Sequence, residues 1–383
     1  MNSDLKISII LPCLNEEKAI ASCLDEIKKT IKDNSLNAEI IVVNNNSTDS
    51  TASILSSYKK ILPELVVVDE EKGGYGFAYL KGLATARGQY IFMADADGTY
   101  NFSQIPNFIN KLEEGNDLVI GNRFSDKMED DSMPWLHKYI GNPFLSSLVR
   151  LFFGVKIHDI HSGARAITHD ALNKLTLYTG GMEFASEMII SATKKNLKIA
   201  EISIEYRKRI GESKLNSWAD GWRHLRFILL YSPLILFFLP GLVIFLSGII
   251  LMYVFYFYEP IIFGIKFYTH PIFLFSLMII LGYQLILFSF FSKIYAITHL
   301  GDSNRFIESI FRHITIEKSI LIGAVITIIG IYLYVSIFKG WVSSGLGSLD
   351  EIKESIVGLT LIVFGVQTFF SSFMFSILGI KKL

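Results

Sequence analysis

The stretch Tyr90-Ile91-Phe92-Met93-Ala94-Asp95-Ala96-Asp97-Gly98-Thr99 decides the fold of the first half of the chain. Its apolar run, closed by turn residues, is typical of a buried parallel strand. In open α/β sheets, ligands collect at the carboxyl ends of such strands. Two carboxylates at that place repel each other unless a cation lies between them, and a hard divalent cation would share them with phosphate oxygens. A solvated strand-end turn could carry the same residues, and only the surrounding sequence separates the two.

Units of strand, polar turn and helix recur around this stretch. A helix is expected after Asn15, with that residue as its N-cap, and another after the Asn-rich turn from Asn44 to Asp49. The glycine cluster from Gly73 to Ala78 precedes a further helix, whose first backbone amides are expected to face an anion. The alternation predicts right-handed crossovers and a mainly parallel sheet. The other strands are expected at residues 7–11, 40–43, 65–68 and 117–120.

Composition divides the chain into two parts. Of its 383 residues, 51% are hydrophobic, and the apolar excess begins near Leu225. The 36 basic and 36 acidic residues balance, so nothing indicates a nucleic-acid partner. Cys13 and Cys23 lack the spacing of a zinc or redox site. The first residues lack a signal-peptide pattern, so the first part is expected in the cytosol.

The order of the motifs resembles the family 2 glycosyltransferases, and most closely their dolichyl-phosphate mannose synthase-like, polyprenyl-phosphate glycosyltransferase branch. The resemblance covers about residues 5 to 220. It is carried by Pro12-x-x-Asn15-Glu16, Ser47-Thr48-Asp49, Gly73-Gly74-x-Gly76-x-Ala78, Asp95-Ala96-Asp97-Gly98, Gly121-x-Arg123, Asp159-x-x-Ser162-Gly163-x-Arg165, Glu183-x-x-x-Glu187 and Tyr206-x-x-Arg209-x-Gly211-x-Ser213-Lys214. Each motif alone is weak, whereas the ordered set is specific.

The resemblance implies an α/β GT-A domain, which is Rossmann-like and binds a nucleotide-sugar, and inversion at the anomeric carbon. Asp97 would ligate Mg²⁺ or Mn²⁺, and Asp95 would lie beside the ribose or the metal. The family's usual Asp-Asp-Gly is replaced by Asn44-Asn45-Asn46, which leaves the base open between UDP and GDP. The implied nucleotide-sugar site consists of Pro12, Asn15, Glu16, Asn44, Asn45, Asp49, Gly74, Asp95, Ala96 and Asp97.

The same resemblance implies a phosphate site and a catalytic set. Arg123, Asp97 and Asp159 would be the catalytic residues. For Asp159 three roles stay open: a general base, a positioning residue for the acceptor or the sugar, or a structural loop cap. An acceptor phosphate is already largely dianionic at pH 7, so a base is not required. The residues expected to face the diphosphate or the acceptor phosphate are Arg123, Ser162, Arg165, Arg209 and Lys214.

The second part of the chain predicts a transmembrane domain. Trp218 and Trp222, mixed with cations, favour an interfacial helix at 218–240, between a cytosolic domain at 1–217 and a transmembrane domain at 241–383. Four spans are expected, at about 242–257, 271–291, 319–338 and 356–378. Lys293, Arg305, Arg312, Lys318, Lys381 and Lys382 then fall in loops on one side, which orients both termini to the cytosol.

These features favour an enzyme that moves a sugar from a UDP- or GDP-sugar to a dolichyl or undecaprenyl phosphate at the cytosolic face of a plasma or ER-equivalent membrane. A processive polysaccharide synthase is the alternative within enzymes, but its Gln-x-x-Arg-Trp element does not occur. A non-catalytic membrane scaffold or lipid translocation protein is the alternative outside enzymes. The near absence of ionisable residues in the expected spans argues against an ion-coupled transporter. A homo-oligomer is left open.

Overall fold

A seven-stranded mixed sheet forms the centre of the first of two compact units, Met1–Ile228 and Leu229–Leu383. The computed structural model describes residues 5–124, 128–211, 217–258, 260–299, 315–348 and 350–379. The sheet has the strand order β3-β2-β1-β4-β6-β5-β7. Its strands are β1 (Ile7–Cys13), β2 (Ala38–Asn44), β3 (Leu65–Asp69), β4 (Tyr90–Met93), β5 (Leu118–Asn122), β6 (Arg165–Thr168) and β7 (Ile199–Ser203).

Parallel pairing dominates the sheet, as expected. β1 pairs in parallel with β2 and with β4, and Ile9 lies in register with Ile40 on one side and Phe92 on the other. β6 is the exception, because it runs antiparallel between β4 and β5. Since β4 and β5 are both antiparallel to β6, they point the same way, and the carboxyl ends of β1, β2, β4 and β5 lie at one edge of the sheet.

Helices cover the sheet of the first unit. Helix α1 buries Ile20, Leu24 and Ile27, whose spacing places them on one helical face against the strands. The helices of the first unit are α1 (Ile20–Asp33), α2 (Thr51–Tyr58), α3 (Tyr75–Thr85), α4 (Ile105–Glu113), α5 (Asn142–Phe153), α6 (His169–Leu172), α7 (Phe184–Lys194) and α8 (Ser217–Leu230), which runs past the boundary between the units.

Two helix boundaries differ from the expectation. Asn15 is not an N-cap: α1 begins at Ile20, and Asn15 has φ 50°, a left-handed conformation that asparagine tolerates. Its side-chain oxygen instead accepts from the Thr48 backbone N–H at 2.7 Å, which joins the two turns that follow β1 and β2. Helix α8 ends at Leu230 rather than near residue 240, because Pro233 disfavours helical backbone in the residue before it.

The second unit contains four helical stretches that are long and apolar enough to cross a membrane. The first, Leu234–Phe257, combines a π-helical turn (Leu234–Phe238) with α9 (Leu239–Phe257). The others are α10 (His270–His299), α11 (Ile316–Ser343) and α12 (Ile352–Gly379), and a short hairpin of β8 (Ile261–Ile262) and β9 (Ile265–Lys266) follows α9. The four predicted spans are therefore confirmed.

The helices of the second unit extend beyond their apolar centres. Lys293 and Lys318, which were expected in a loop, belong to α10 and α11, and the Lys293 side chain is buried. Arg305, Arg312, Lys381 and Lys382 lie outside the described residues.

Glycines and neutral polar side chains join these helices. A Cβ at Gly282 of α10 would come within 2.5 Å of the Phe245 amide nitrogen of α9, so the two backbones touch there. Across α10 and α12, hydroxyl pairs hydrogen-bond at 2.6 Å (Ser276 and Thr360) and 2.7 Å (Tyr283 and Thr368). Close backbone approach and neutral hydrogen bonds thus hold the bundle together.

Candidate active site at the carboxyl edge of the sheet

Four strands deliver the predicted site residues to one edge of the sheet. Pro12 is the last residue but one of β1, in register with Val43, and Glu16 follows in the next turn. Asn44 ends β2, Asp95 and Asp97 follow β4, and Arg123 follows β5 directly. β2, β1 and β4 are neighbours, and β6 separates β4 from β5, so these strand ends lie along one edge of the sheet and bring together polar residues far apart in sequence.

Asp95 and Asp97 form the acidic centre of the site. One oxygen of Asp97 accepts from the Thr99 hydroxyl at 2.6 Å and the Thr99 amide at 3.1 Å, and Ala96 between the two acids is buried. Asp95 accepts from the Tyr79 hydroxyl at 3.2 Å. Burial, followed by repulsion from the Asp97 charge, raises the pKa of Asp95 to about 6. The pair therefore carries negative charge that a cation would stabilise.

A hard divalent cation fits this donor set. Within the described ranges, no group of three histidine, cysteine, aspartate or glutamate side chains could hold a metal ion. The protein would therefore supply only the carboxylates of Asp95 and Asp97. Mg²⁺ and similar ions are usually bound in this way, through one or two carboxylates with water and phosphate oxygens completing the shell.

Arg209 is the counter-ion of the acidic centre. Its guanidinium donates to Asp97 Oδ2 at 2.8 Å and also to Glu16 Oε1, so one cation bridges two acids from different strand ends. The backbone holds it there: Arg207 N–H donates to Thr99 O at 2.8 Å, and Ile210 N–H to Asp97 O at 2.9 Å. Arg209 thus forms more than an ordinary surface salt bridge, because it pairs with two acids at once. Lys214, expected nearby, lies outside the described residues.

Arg123 and Asp159 form a second, buried ion pair. Arg123 Nε and Nη2 donate to the two oxygens of Asp159 at 2.7 and 2.8 Å, and the Arg123 backbone N–H donates to the same carboxylate at 3.0 Å. Burial by itself lowers the pKa of Arg123, but the Asp159 charge overrides it and holds that pKa well above its ordinary value. The guanidinium also lies over the Tyr206 ring, 5.3 Å from its centroid.

This geometry argues against one of the three roles left open for Asp159, that of a general base. Its side chain has no exposed surface, and both oxygens accept from Arg123. A general base must reach the proton that it removes, and no substrate hydroxyl reaches a carboxylate enclosed in this way. The pairing instead favours a positioning role that was not among the three, in which Asp159 fixes the direction of the Arg123 guanidinium.

Side chains of the asparagine-rich turn mainly stabilise the neighbouring loops through hydrogen bonds. The Asn45 amide donates to Glu70 O and Lys72 O at 3.0 and 2.7 Å and accepts from Gly74 N–H at 2.8 Å. Asp49 accepts from the Thr51 and Glu17 amides at 2.9 and 3.1 Å. Asn45 and Asp49 thus shape the loops around the site, and their expected contact with a nucleotide stays a prediction.

Asp69 is a further candidate site residue that was not predicted from the sequence. It ends β3 in register with Asn44, and the Asn44 amide donates to its carboxylate at 2.9 Å. An acid thus lies beside the turn in which the family motif has acids and this chain has Asn44, Asn45 and Asn46. Asp69 could have been predicted, because it directly follows the strand expected at residues 65–68 and so lies at that strand's carboxyl end.

Arg165 was wrongly predicted as a phosphate ligand. It is buried, and its guanidinium donates to the backbone carbonyls of Ile160, Ser162 and Ala185 at 2.6 to 3.2 Å. These bonds hold the loop that carries Asp159. Ser162 is also buried, and within the described part of the chain its hydroxyl meets no hydrogen-bond partner.

The first backbone amides of α3, after the glycine cluster, were expected to face an anion, but they have another partner. The Gly76 and Phe77 amides donate to the Gly180 carbonyl oxygen at 2.9 and 3.3 Å. A Cβ at Gly76 would come within 2.1 Å of Thr179 O, so glycine is required for close loop packing. The N-terminus of α3 is therefore closed by the 179–180 loop.

Comparisons with known proteins agree with this architecture. Residues 8–176 match the Glycosyl transferase family 2 model, and residues 291–379 match the Glycosyltransferase family 2 C-terminal transmembrane region. The low-salt glycan biosynthesis hexosyltransferase Agl6 of Haloferax volcanii is 35% identical over 374 residues, which cover 97% of this chain and 89% of the relative. A dolichyl-phosphate hexose transferase of Haloferax volcanii is 30% identical over 215 residues, covering 56% of this chain and 89% of the relative.

Among solved structures, glucosyl-3-phosphoglycerate synthase from Mycobacterium tuberculosis, in complex with Mn²⁺, UDP and phosphoglyceric acid, aligns with a TM-score of 0.48. The alignment has 22% sequence identity and covers 60% of this chain and 79% of that chain.

The positioning role of Asp159 predicts the behaviour of Asp159→Asn. Loss of the carboxylate leaves the Arg123 guanidinium buried without its counter-ion, so thermal or denaturant unfolding should show a loss of about 3 kcal/mol. Turnover should fall because Arg123 is misdirected, but the pH–rate profile should keep its shape because no proton-transfer group is lost. The double variant Arg123→Met/Asp159→Leu is the control, and it should recover stability without activity. Unchanged stability together with the loss of one ionisation from the profile would identify Asp159 as a general base.

Proposed function

The chain belongs to glycosyltransferase family 2 and carries that family's C-terminal transmembrane region, and from this premise we propose a transfer reaction between a nucleotide-sugar and a membrane lipid. The donor is a UDP- or GDP-sugar, and the acceptor is the phosphate of a dolichyl or undecaprenyl phosphate. The observation that carries the proposal is the acidic pair Asp95 and Asp97, with the Arg209 guanidinium beside it, in a chain with four membrane-spanning stretches. The acceptor class follows the name of one relative, a dolichyl-phosphate hexose transferase.

The first unit would bind the donor along the carboxyl edge of the sheet. Glu16 and the Asn44 turn lie where the nucleotide would rest, and Asp69 offers a carboxylate to a base N–H. Asp95 and Asp97 would hold Mg²⁺ or Mn²⁺, which when bound supplies positive charge to the diphosphate leaving group. Arg209, released from Asp97, can reach the same phosphates.

Catalysis in this proposal depends on position and charge. The acceptor phosphate, with a second pKa of about 6, is nucleophilic at neutral pH without a general base. One of its oxygens attacks the anomeric carbon while the bond to the diphosphate breaks, so a single displacement inverts the configuration. Arg123, held in a fixed direction by Asp159, would donate its remaining N–H groups to one of these phosphates and so keep the two reactants aligned.

Orientation and membrane contact are part of the proposal. We assign residues 1–217 to the cytosol, 218–240 to the membrane interface and 241–383 to the membrane, with both termini cytosolic. Exposed Trp218 and Trp222 and the cations Arg223 and Arg226 in α8 support the interfacial assignment. The membrane would be a plasma or ER-equivalent membrane.

A transfer assay with the full chain tests this function. Purified protein is incubated with a panel of labelled UDP- and GDP-sugars and a polyprenyl phosphate, and the lipid phase is then extracted. We expect one donor to give a lipid-linked sugar held by a single phosphate. Asp97→Asn should reduce the rate at least about 100-fold with little change in thermal unfolding, because it weakens charge stabilisation in the transition state.

Three results would contradict parts of the proposal. Full turnover in EDTA would contradict the metal requirement. Donor consumption without labelled lipid would contradict the assignment of polyprenyl phosphate as the acceptor. A labelled polymer would indicate a processive synthase, and no transfer with any donor would favour a non-catalytic scaffold or lipid translocation protein.

The contact between Arg209 and Asp97 predicts competition with the metal. Arg209→Gln removes the guanidinium from Asp97 Oδ2, so Mn²⁺ binding without nucleotide should tighten about tenfold, equivalent to about 1.4 kcal/mol. Electron paramagnetic resonance of free Mn²⁺ measures this directly. The control is Arg207→Gln, which removes the same charge from a guanidinium paired with Glu26 at 3.2 Å. Equal tightening in both variants, or none in Arg209→Gln, would contradict competition for the oxygen.

A further inference from the structure

The buried polar atoms that lack a hydrogen-bond partner lie around the acidic centre. In the described part of the first unit they are His161 Nδ1, Ser162 Oγ, Glu183 Oε2 and Arg209 Nε. Native interiors leave few buried polar atoms unpaired, because an unpaired atom loses its hydration without gaining a bond. Four such atoms around one site therefore point to a ligand that supplies the missing partners.

Glu183 immediately precedes α7, at the carboxyl edge of the sheet. β6 is antiparallel and so ends at the amino edge, where the His169 N–H donates to the Gln89 carbonyl, just before β4. β7 begins at the same amino edge, since it is parallel to β5. Because α7 leads into β7, the start of α7 lies at the opposite edge, which carries the site.

The start of α7 packs against the acidic centre. The Phe184 ring stacks on the Tyr79 ring, with centroids 5.3 Å apart and planes 5° apart. The Tyr79 hydroxyl in turn donates to Asp95 at 3.2 Å. Glu183 adjoins Phe184 in the chain, and its side chain makes no capping bond to the helix. A single tyrosine therefore separates the start of α7 from a predicted metal ligand.

The first turn of α7 also contacts the loop before β6. Ser186 Oγ and His161 Nε2 are at hydrogen-bond distance, 3.2 Å apart. The Arg165 guanidinium donates to the Ser162 carbonyl at 2.6 Å and to the Ala185 carbonyl at 2.9 Å, so it ties the loop to the helix. Three of the four unpartnered atoms thus belong to two segments that are packed together.

The strand order places these segments beyond the acidic pair from the proposed nucleotide site. β1 and β2, with Glu16 and Asn44, lie on one side of β4, and β6 lies on the other. The loop with His161 and Ser162 leads into β6 at the carboxyl edge, because this strand is antiparallel. A nucleotide-sugar with its base near β2 and its diphosphate at the acidic pair would extend its sugar toward the unpartnered atoms.

Hydrogen-bond chemistry identifies the group that Glu183 would bind. A carboxylate oxygen accepts hydrogen bonds, so its missing partner is a donor. The diphosphate of the donor substrate and the phosphate of the acceptor are negatively charged and would repel it. A sugar hydroxyl can donate to Glu183, and other hydroxyls of the same ring can pair with Ser162 and His161.

We propose that Glu183 accepts a hydrogen bond from a hydroxyl of the transferred sugar, in a polar subsite completed by Ser162 and His161. This inference rests on the proposed function and makes Glu183 a residue that selects the donor. A neutral sugar with a free hydroxyl fits the subsite. A uronic acid donor would bring a second carboxylate close to that of Glu183, and the subsite disfavours it.

Two variants test the contact, one by moving the carboxylate and one by removing it. In Gly181→Ala the added Cβ would overlap Glu183 Oε2 and lie 2.9 Å from Glu183 Cδ. Gly181 is not in the left-handed conformation, and the overlapped atoms end a flexible side chain, so the carboxylate should shift while the fold persists. Glu183→Ala removes the carboxylate. Gly221→Ala is the matched control, because its Cβ would meet nothing within 4 Å.

Calorimetry on the full chain in detergent with Mn²⁺ compares each UDP- and GDP-sugar of the transfer panel with UDP or GDP alone. Gly181→Ala and Glu183→Ala should weaken binding of the nucleotide-sugar about 10- to 100-fold, as expected for a lost hydrogen bond to a charged group. Binding of the nucleoside diphosphate should not change. The melting temperature of Glu183→Ala should not fall, because the lost oxygen has no protein partner. Gly221→Ala should match the natural chain throughout.

Deoxy analogues of the bound donor identify the hydroxyl. The natural chain should bind one analogue more weakly than the complete donor, whereas Glu183→Ala should bind the two equally, because the partner of that hydroxyl is already absent. Losses that add for every analogue would show that Glu183 binds no sugar hydroxyl.

The remaining outcomes separate this inference from the proposed function. Equal weakening of nucleotide-sugar and nucleoside diphosphate would assign Glu183 to the nucleotide or to the fold. Unchanged donor binding in both variants would show that water satisfies the Glu183 oxygen. Either result overturns the sugar contact and leaves the proposed transfer intact. Failure of every donor to bind the natural chain would instead contradict the proposed function, and the sugar contact with it.

Discussion

Repulsion between Asp95 and Asp97 is the constraint on which the rest of the site depends. The two carboxylates follow the same strand with one residue between them, and because Asp97 is buried and Asp95 half-buried, water screens their charges poorly. Two hydrogen bonds offset this repulsion. The Tyr79 hydroxyl donates to Asp95, and the Arg209 guanidinium donates to Asp97. The segment from Tyr206 to Ile210 runs along the Asp97 turn because Arg209 must be delivered there.

The two arginines of the site differ in how firmly they are held. The Arg123 side chain is 9% exposed, and its carboxylate partner is completely buried, so separating them would leave an uncompensated charge in the interior. Arg209 is 24% exposed and shares its donors between two acids. A partly exposed ion pair is worth little and is readily exchanged. Arg123 therefore suits a fixed role in orientation, and Arg209 suits a role in which it gives up Asp97 to another cation.

The sequence predicted the strands and the edge where the site lies, because apolar runs and strand-end polar residues are local signals. It did not predict β7 at the edge of the sheet, nor β6, which has four residues, begins with Arg165 and enters the sheet antiparallel. It also misjudged Arg165 itself, since residue type does not reveal whether a guanidinium points to backbone carbonyls or to a ligand. The same limit applies to Gly76, where the partner of the helix N-terminus is a carbonyl more than a hundred residues away in the chain. Tertiary contacts decide such cases.

The membrane unit restricts where a phosphate-bearing lipid could react. Among the described residues of the four spanning stretches, every Asp, Glu, Lys, Arg and His lies toward a helix end, with Lys293 the farthest from its helix terminus. The interhelical hydrogen bonds at Ser276 and Tyr283 are between neutral groups. A phosphate moved into such a bundle would lose its hydration without gaining a charged partner, at a cost of several kcal/mol or more. On the proposed function, the headgroup of the acceptor would therefore react at the bilayer surface rather than within the helical bundle.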